Sequence, residues 1–224
     1  MSKHLKAYAA PKSWTILRKV NKWTIRPKEG AHPFERSLPL GTLLKLTKHA
    51  KTTKEAKYII NQKAVTVDGK LIKDIHAACG FMDIISVKDS APLRCTIDKK
   101  GRLTFIEAPK GEEHKKICKI ESKRTIKDGK IQYSLLGGRS ILSKENYKVG
   151  DSLLIEVPSQ KVIEHYSLDK GNTAFLLGGA HIGSTVVINK IEGDKIFCTK
   201  DKIKLETSKR IALITGKDKA ALRL

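Results

Sequence analysis

The sequence predicts an α+β protein with a basic arm in front, two short helices after it, and β structure to the end. Three observations carry this. Apolar residues recur at helical spacing twice between residues 38 and 61, then at every second position after Lys63. From residue 92 onward, short apolar runs alternate with turn sequences such as Lys100-Gly101, Asp128-Gly129 and Gly193-Asp194. Before residue 38, Pro11, Pro27, Pro33 and Gly30 interrupt any long helix. The chain thus divides into a basic arm (1–37), a helix–helix–hairpin module (38–90), a central β domain (91–168) and a small β-barrel with a basic tail (169–224).

The arm contains SWTILRKVNKWTIRPKEGAHPF, with two Trp amid basic residues. Trp14 and Trp23 have the chemistry to stack on RNA bases. In a chain only 5% aromatic, anchoring the arm on the protein's own core is the better use of them. The module follows. Its first helix offers Leu40, Leu43, Leu44 and Thr47 as one stripe; the second offers Ala56, Ile59 and Ile60, with Thr52 and Glu55 placed for a capping box. Lys54, Lys57, Tyr58 and Asn61 fall on the opposite side. Val65 and Val67 then lead into an Asp68-Gly69 hairpin turn, and 80–87 reads as a returning strand. The β part reads as hairpins at 94–106 and 117–135, strands at 152–157 and 161–166, then 173–177, 184–191, 195–199 and 210–215.

Charge bounds the function. There are 45 Lys and Arg against 23 Asp and Glu, a net +22 with a pI near 9.9. Fourteen of those cations, against three acids, lie before Ile60. Such an excess repels itself unless a polyanion neutralises it, which points to nucleic acid. A membrane is disfavoured, because no run nears the 18 apolar residues needed to span one. MSKHLKAYAAPKSW lacks the apolar core of a signal peptide, so a cytosolic protein is expected. Cys79, Cys95, Cys118 and Cys198 lie far apart, which reads as buried reduced thiols rather than zinc ligands. His76 with Cys79 makes a poor metal site. Gly178-Gly179 precedes a strand and no Gly-Lys-Ser/Thr, so a bulged β corner is preferred to a phosphate-binding loop. Neither a cofactor-binding glycine loop nor Gly-x-Ser-x-Gly is found, and no cofactor or small-molecule substrate is expected.

These motifs carry a resemblance. Residues 38–75 resemble the RNA-binding fold shared by bacterial ribosomal protein S-four, some pseudouridine synthases and some tRNA synthetases. Residues 169–196 resemble the KOW motif of ribosomal proteins and elongation factors, with Gly183 at its glycine position. Together with KHLKAYAAPKSW, KWTIRPKEGAHPF and AACGFMDIIS, in that order, the chain resembles the archaeal and eukaryotic S-four-e family of small-subunit ribosomal proteins. KWTIRP and the short tail look more archaeal. The resemblance implies a non-catalytic, rRNA-binding constituent of the small subunit, located in the cytoplasmic ribosome among neighbouring ribosomal proteins.

Two rivals are weighed. Pseudouridine synthases carry Gly-Arg-Leu-Asp with a nucleophilic aspartate, whereas this chain has Gly101-Arg102-Leu103-Thr104, and a hydroxyl cannot replace that carboxylate. A KOW-containing translation or transcription factor is disfavoured by charge spread over every segment. The expected rRNA-binding residues are Arg36, Lys45, Lys48, Lys51, Lys54 and Lys57 on the helices and Lys70 and Lys73 at the hairpin. Lys3, Lys6, Lys12, Arg18, Arg26 and Lys28 serve in the arm, and His181 and Lys190 in the KOW segment. Lysine dominance suits phosphate contact better than bidentate base reading.

Overall fold

A computed structural model describes residues 4–126, 129–200, 203–217 and 220–223. Lys3 lies outside the described residues, as do Lys127 and Asp128 of the expected second hairpin turn. The fold is mostly β with two α-helices, the α+β class expected, and the chain forms two compact units, 1–96 with 102–108 and 97–101 with 109–224.

In the first unit, the arm forms a small antiparallel pair, β1 (Leu5–Lys6) with β2 (Trp23–Thr24). Strand β3 (Ser37–Pro39) leads directly into α1 (Leu40–Leu46), and α2 (Thr53–Asn61) follows. Of the expected stripes, Leu40, Leu43 and Leu44 on α1 and Ala56 and Ile60 on α2 are buried; Thr47 and Ile59 are half-buried, and Thr42, outside the stripe, is buried as well. Each such leucine removed from water contributes about 1.5–3 kcal/mol. Close packing explains Gly41, where an added Cβ would fall 2.2 Å from the Ile75 side chain.

Strands β4 (Val65–Val67) and β5 (Lys70–Leu71) form the hairpin, with Asp68 and Gly69 both at positive φ. That is the twist-matched turn the Asp-Gly pair favours. The Asp68 carboxylate then accepts the Ile84 N–H at 2.9 Å, fixing the turn onto the next strand. β6 (Ala78–Gly80) pairs with β3, and β7 (Ile84–Val87) pairs with β4. Strands β8 (Leu93–Ile97) and β9 (Leu103–Glu107), which the sequence groups with the segment after residue 90, complete a sheet of order β5-β4-β7-β8-β9.

The second unit has two five-stranded antiparallel sheets. One contains β10 (Lys115–Thr125), β11 (Ile131–Leu135), β12 (Arg139–Ser143), β13 (Ser152–Glu156) and β14 (Val162–Tyr166), ordered β12-β11-β10-β13-β14. The other contains β15 (Thr173–Leu176), β16 (Thr185–Glu192), β17 (Lys195–Lys200), β18 (Ile203–Ser208) and β19 (Ala212–Gly216), ordered β18-β17-β16-β15-β19. The double glycine lies in the turn from β15 to β16. Gly183 has φ +71°, and a Cβ there would come within 2.4 Å of the Asp98 carbonyl oxygen. Both the backbone angle and the close approach call for glycine. All four cysteines are buried thiols.

Candidate nucleic-acid interface

The α2 helix sets the geometry. Thr52 stands at its N-cap in extended conformation, and its hydroxyl accepts the Glu55 N–H at 3.2 Å. The Glu55 carboxylate accepts the Lys51 N–H at 2.7 Å and the Thr52 hydroxyl at 3.1 Å. The expected capping box therefore closes one residue earlier, on Lys51 rather than Thr52. The Lys51 N–H holds the Glu55 carboxyl below its usual range, so the box persists into mild acid.

With the helix start closed, Ala56 and Ile60 face the core and Lys54, Lys57, Tyr58 and Asn61 stay exposed. Lys51 extends this side in front of the helix. Lys45 is half-buried, its ammonium 3.5 Å from the Thr53 hydroxyl, so it is partly drawn back toward α2. Arg36, Lys48, Lys70 and Lys73 are all exposed. The first unit thus carries several exposed lysines on helix and turn backbone, and an ammonium group has the point-charge chemistry that suits phosphate.

Sequence reasoning did not name one further exposed lysine, Lys63, as a candidate. Lys48 follows α1 at φ 63°, and Lys63 follows α2 at φ 56°. Both hold the left-handed position that closes a helix, where glycine is usual, and both place a cation at the negative end of a helix dipole. Lys63 is exposed, and its only sequence-level signal is its place at the change from helical to alternating period.

The arm residues divide. Lys6 and Lys12 are exposed. The Arg18 guanidinium donates to the Pro11 carbonyl at 2.7 Å, so part of its donor set shapes the arm itself. Arg26 is half-buried, and its carbonyl receives His76 Nδ1–H at 2.8 Å. The exposed Lys28 ammonium pairs with Asp74. Burial works to raise the Asp74 carboxyl, but its bonds to Lys28 and the His76 N–H outweigh this and hold it low. Such exposed pairs are worth roughly 0–1 kcal/mol and yield readily to a phosphate. The tryptophans split as well. Trp14 is buried against Phe34, ring centroids 5.9 Å apart, and anchors the arm; Trp23 is 51% exposed beneath the Lys22 ammonium.

In the second unit His181 is exposed in the β15–β16 turn, and the exposed Lys190 pairs with Glu192 on its own strand. His76 is bonded to backbone and Cys79 lies buried in β6; among the described residues, His, Cys, Asp and Glu nowhere gather in threes fit for a metal.

Residues 91–162 match the ribosomal family S4e, and residues 1–35 match the RS4NT domain. The small ribosomal subunit protein eS4 of Methanocaldococcus jannaschii is 36% identical over 99% of this chain and 97% of its own. The chain belongs to the ribosomal family S4e. Other family members agree: the eS4 protein of Methanosphaera stadtmanae is 35% identical over 99% of this chain and 95% of its own. The crystal structure of the 30S ribosomal protein S4e from Thermoplasma acidophilum superposes with a TM-score of 0.70 at 28% identity, covering 81% of this chain and 95% of that one. These relatives are small ribosomal subunit proteins by name, and the S4e fold is shared.

Proposed function

We propose that this S4e-family chain is a structural constituent of the small ribosomal subunit that clamps rRNA by its phosphate backbone. The exposed lysine row on and around α2 carries the reading. Lys54 and Lys57 stand on the solvent side of a capped helix whose other side is buried, with Lys51 just before its cap, so their spacing is preset before RNA arrives. Lys48, Lys63, Lys70 and Lys73 extend the row, and Arg36 and Lys45 flank it. Residues 38–90 act as an S-four-like RNA-binding module and residues 1–37 as a basic arm, with Lys6, Lys12, Arg18, Arg26 and Lys28 as further contacts and Lys3 as one more. Residues 91–168 form a central β domain, and residues 169–224 a KOW-type barrel contacting rRNA through His181 and Lys190. Neighbouring ribosomal proteins complete the surroundings, in the cytoplasmic ribosome.

Phosphate binding by these ammonium groups releases condensed counterions, and that release drives the affinity. No chemical step is assigned to the chain. The rival RNA-modifying reading needs a carboxylate where Thr104 stands in β9.

The test is the double variant K54E/K57E. It should weaken rRNA binding across sequences, and the slope of log affinity on log salt should shrink by about 0.7–0.9 per lost phosphate contact. An unchanged slope would place the RNA on another face.

A further inference from the structure

The loop that carries the arm into the helical module, residues 26–34, is moored to the 74–76 turn. Lys28 N–H donates to the His76 carbonyl at 2.8 Å, His76 Nδ1–H donates to the Arg26 carbonyl at 2.8 Å, and the Lys28 ammonium meets Asp74. Beside these moorings lies a cleft of about 850 Å³, wholly within the first unit. That volume lies in the range of small-molecule sites.

Its walls combine three chemistries. Phe34 and the Pro27 ring are apolar, and Phe34 is 40% exposed although its ring also leans on Trp14. Arg26 and Lys28 bring positive charge from the loop. His76 brings an imidazole whose tautomer is fixed on one side: a carbonyl can only accept, so Nδ1 carries the proton. Nε2 is then the ring's remaining hydrogen-bonding atom, an acceptor when the ring is neutral. Glu29 is the carboxylate in the lining, able to accept from an exocyclic amine.

His32, also in the lining, is locked in place. His32 Nε2 lies 3.0 and 3.1 Å from the two Asp83 carboxylate oxygens, and Asp83 also accepts the Gly80 N–H at 2.8 Å. The His32 ring rests so closely on Gly80 that an added Cβ would fall 2.3 Å from it. The cleft is thus held open by buried polar bonds, without need of a ligand to form it.

We propose that this cleft seats one unstacked nucleotide of the bound RNA, its base against Phe34 and its phosphate toward Arg26 and Lys28. The inference rests on the RNA-binding reading above and adds to it a base-contacting site. The lysine row grips backbone wherever it lies; a pocket of aromatic, imidazole and guanidinium groups instead favours a position where one base leaves the stack.

The experiment is an amide NMR titration of the full chain with each ribonucleoside 5′-monophosphate, and separately with inorganic phosphate. Saturable shifts should centre on residues 26–34 and 76. Phe34→Leu, which keeps an apolar contact on Trp14 but removes the stacking ring, should weaken the binding at least fivefold. His76→Asn keeps an N–H where Nδ1 stands and removes Nε2, and should weaken it at least threefold. The proposal is overturned if inorganic phosphate alone reproduces the shifts, if they fall on α2 instead, or if both folded variants bind as the parent does. Should rRNA still bind through Lys54 and Lys57 while mononucleotides miss the cleft, the cleft inference alone fails. If rRNA does not bind at all, the function proposed above fails with it.

Discussion

Lys48 and Lys63 show how single residues are set against one another. A left-handed backbone costs an L-residue roughly 1 kcal/mol relative to glycine, and both helices accept that cost at their last turn. Part is returned by the cation's position at the helix C-terminus, about 0.3–1 kcal/mol each. The remainder has a reason if these ammonium groups are needed for phosphate. The double variant K48G/K63G should therefore keep or raise thermal stability, by up to about 1 kcal/mol, while lowering rRNA affinity several-fold. Thermal unfolding and RNA titration of one preparation decide it; loss of stability with unchanged affinity would make both lysines mere caps. These two positions also mark where sequence stops speaking. Leu40, Leu43, Leu44 and Ile60 are legible because period alone assigns them to the core. The angle φ at Lys63 is set by where the chain must go next, and nothing in its own side chain announces it. Lys28 and Lys190 were legible as cations, but their carboxylate partners Asp74 and Glu192 required the fold.

At the level of elements, most strands were readable, the edge strands β14 and β19 among them, and two edge strands were not. β10, β13, β15 and β16 carry apolar residues that go inside, and the sequence places them within a few residues. β12 and β18 escaped because little of them goes inside: Arg139–Ser143 buries Ile141 alone, and no residue of Ile203–Ser208 is fully buried. Their strand character comes from the hydrogen bonds of one neighbour, a tertiary effect invisible in a short polar segment. β10 carries the next test. Its Lys119 side chain is buried, and its ammonium donates to the carbonyls of Lys209 and Arg210, the latter at 2.9 Å, tying β10 to the turn before β19. Burial pushes this ammonium down to about 8, against 10.5 when unfolded. Between those values the unfolded chain holds a proton that the folded chain has released, so stability must rise with pH. The expected gain from pH 8 to pH 10 is about 1–3 kcal/mol, and Lys119→Met should remove it. A rise that survives in Lys119→Met belongs to general relief of positive charge instead, and would show the buried lysine is not its source.

Over the whole molecule, charge sets two responses of opposite sign. With 45 cations and 23 acids, at least 22 cations have no acidic side chain to pair with even if every carboxylate is used. Pairs such as Lys195 with Glu206, 2.6 Å apart between β17 and β18, are local exceptions within a positive field. The free chain is therefore destabilised by its own repulsion, which added salt screens over a Debye length of about 10 Å at 0.1 M. The proposed complex with RNA would depend on that same field, and salt would weaken it by restoring condensed counterions. For six or more phosphate contacts the affinity loss is about 10³-fold or greater between 50 and 200 mM salt. One pair of measurements therefore checks the reading of the molecule as an incomplete half of an electrostatic assembly. From 50 to 500 mM sodium chloride, the Tm of the free protein should climb by roughly 3–8 °C, while rRNA affinity falls by orders of magnitude. Salt-independent affinity would mean that RNA binding does not run through phosphate. A falling Tm would mean that ion pairs like Lys195–Glu206, rather than unpaired lysines, dominate the fold's electrostatics. Only the opposed trends fit a chain whose excess charge is a cost alone and a driving force when RNA supplies the missing anions.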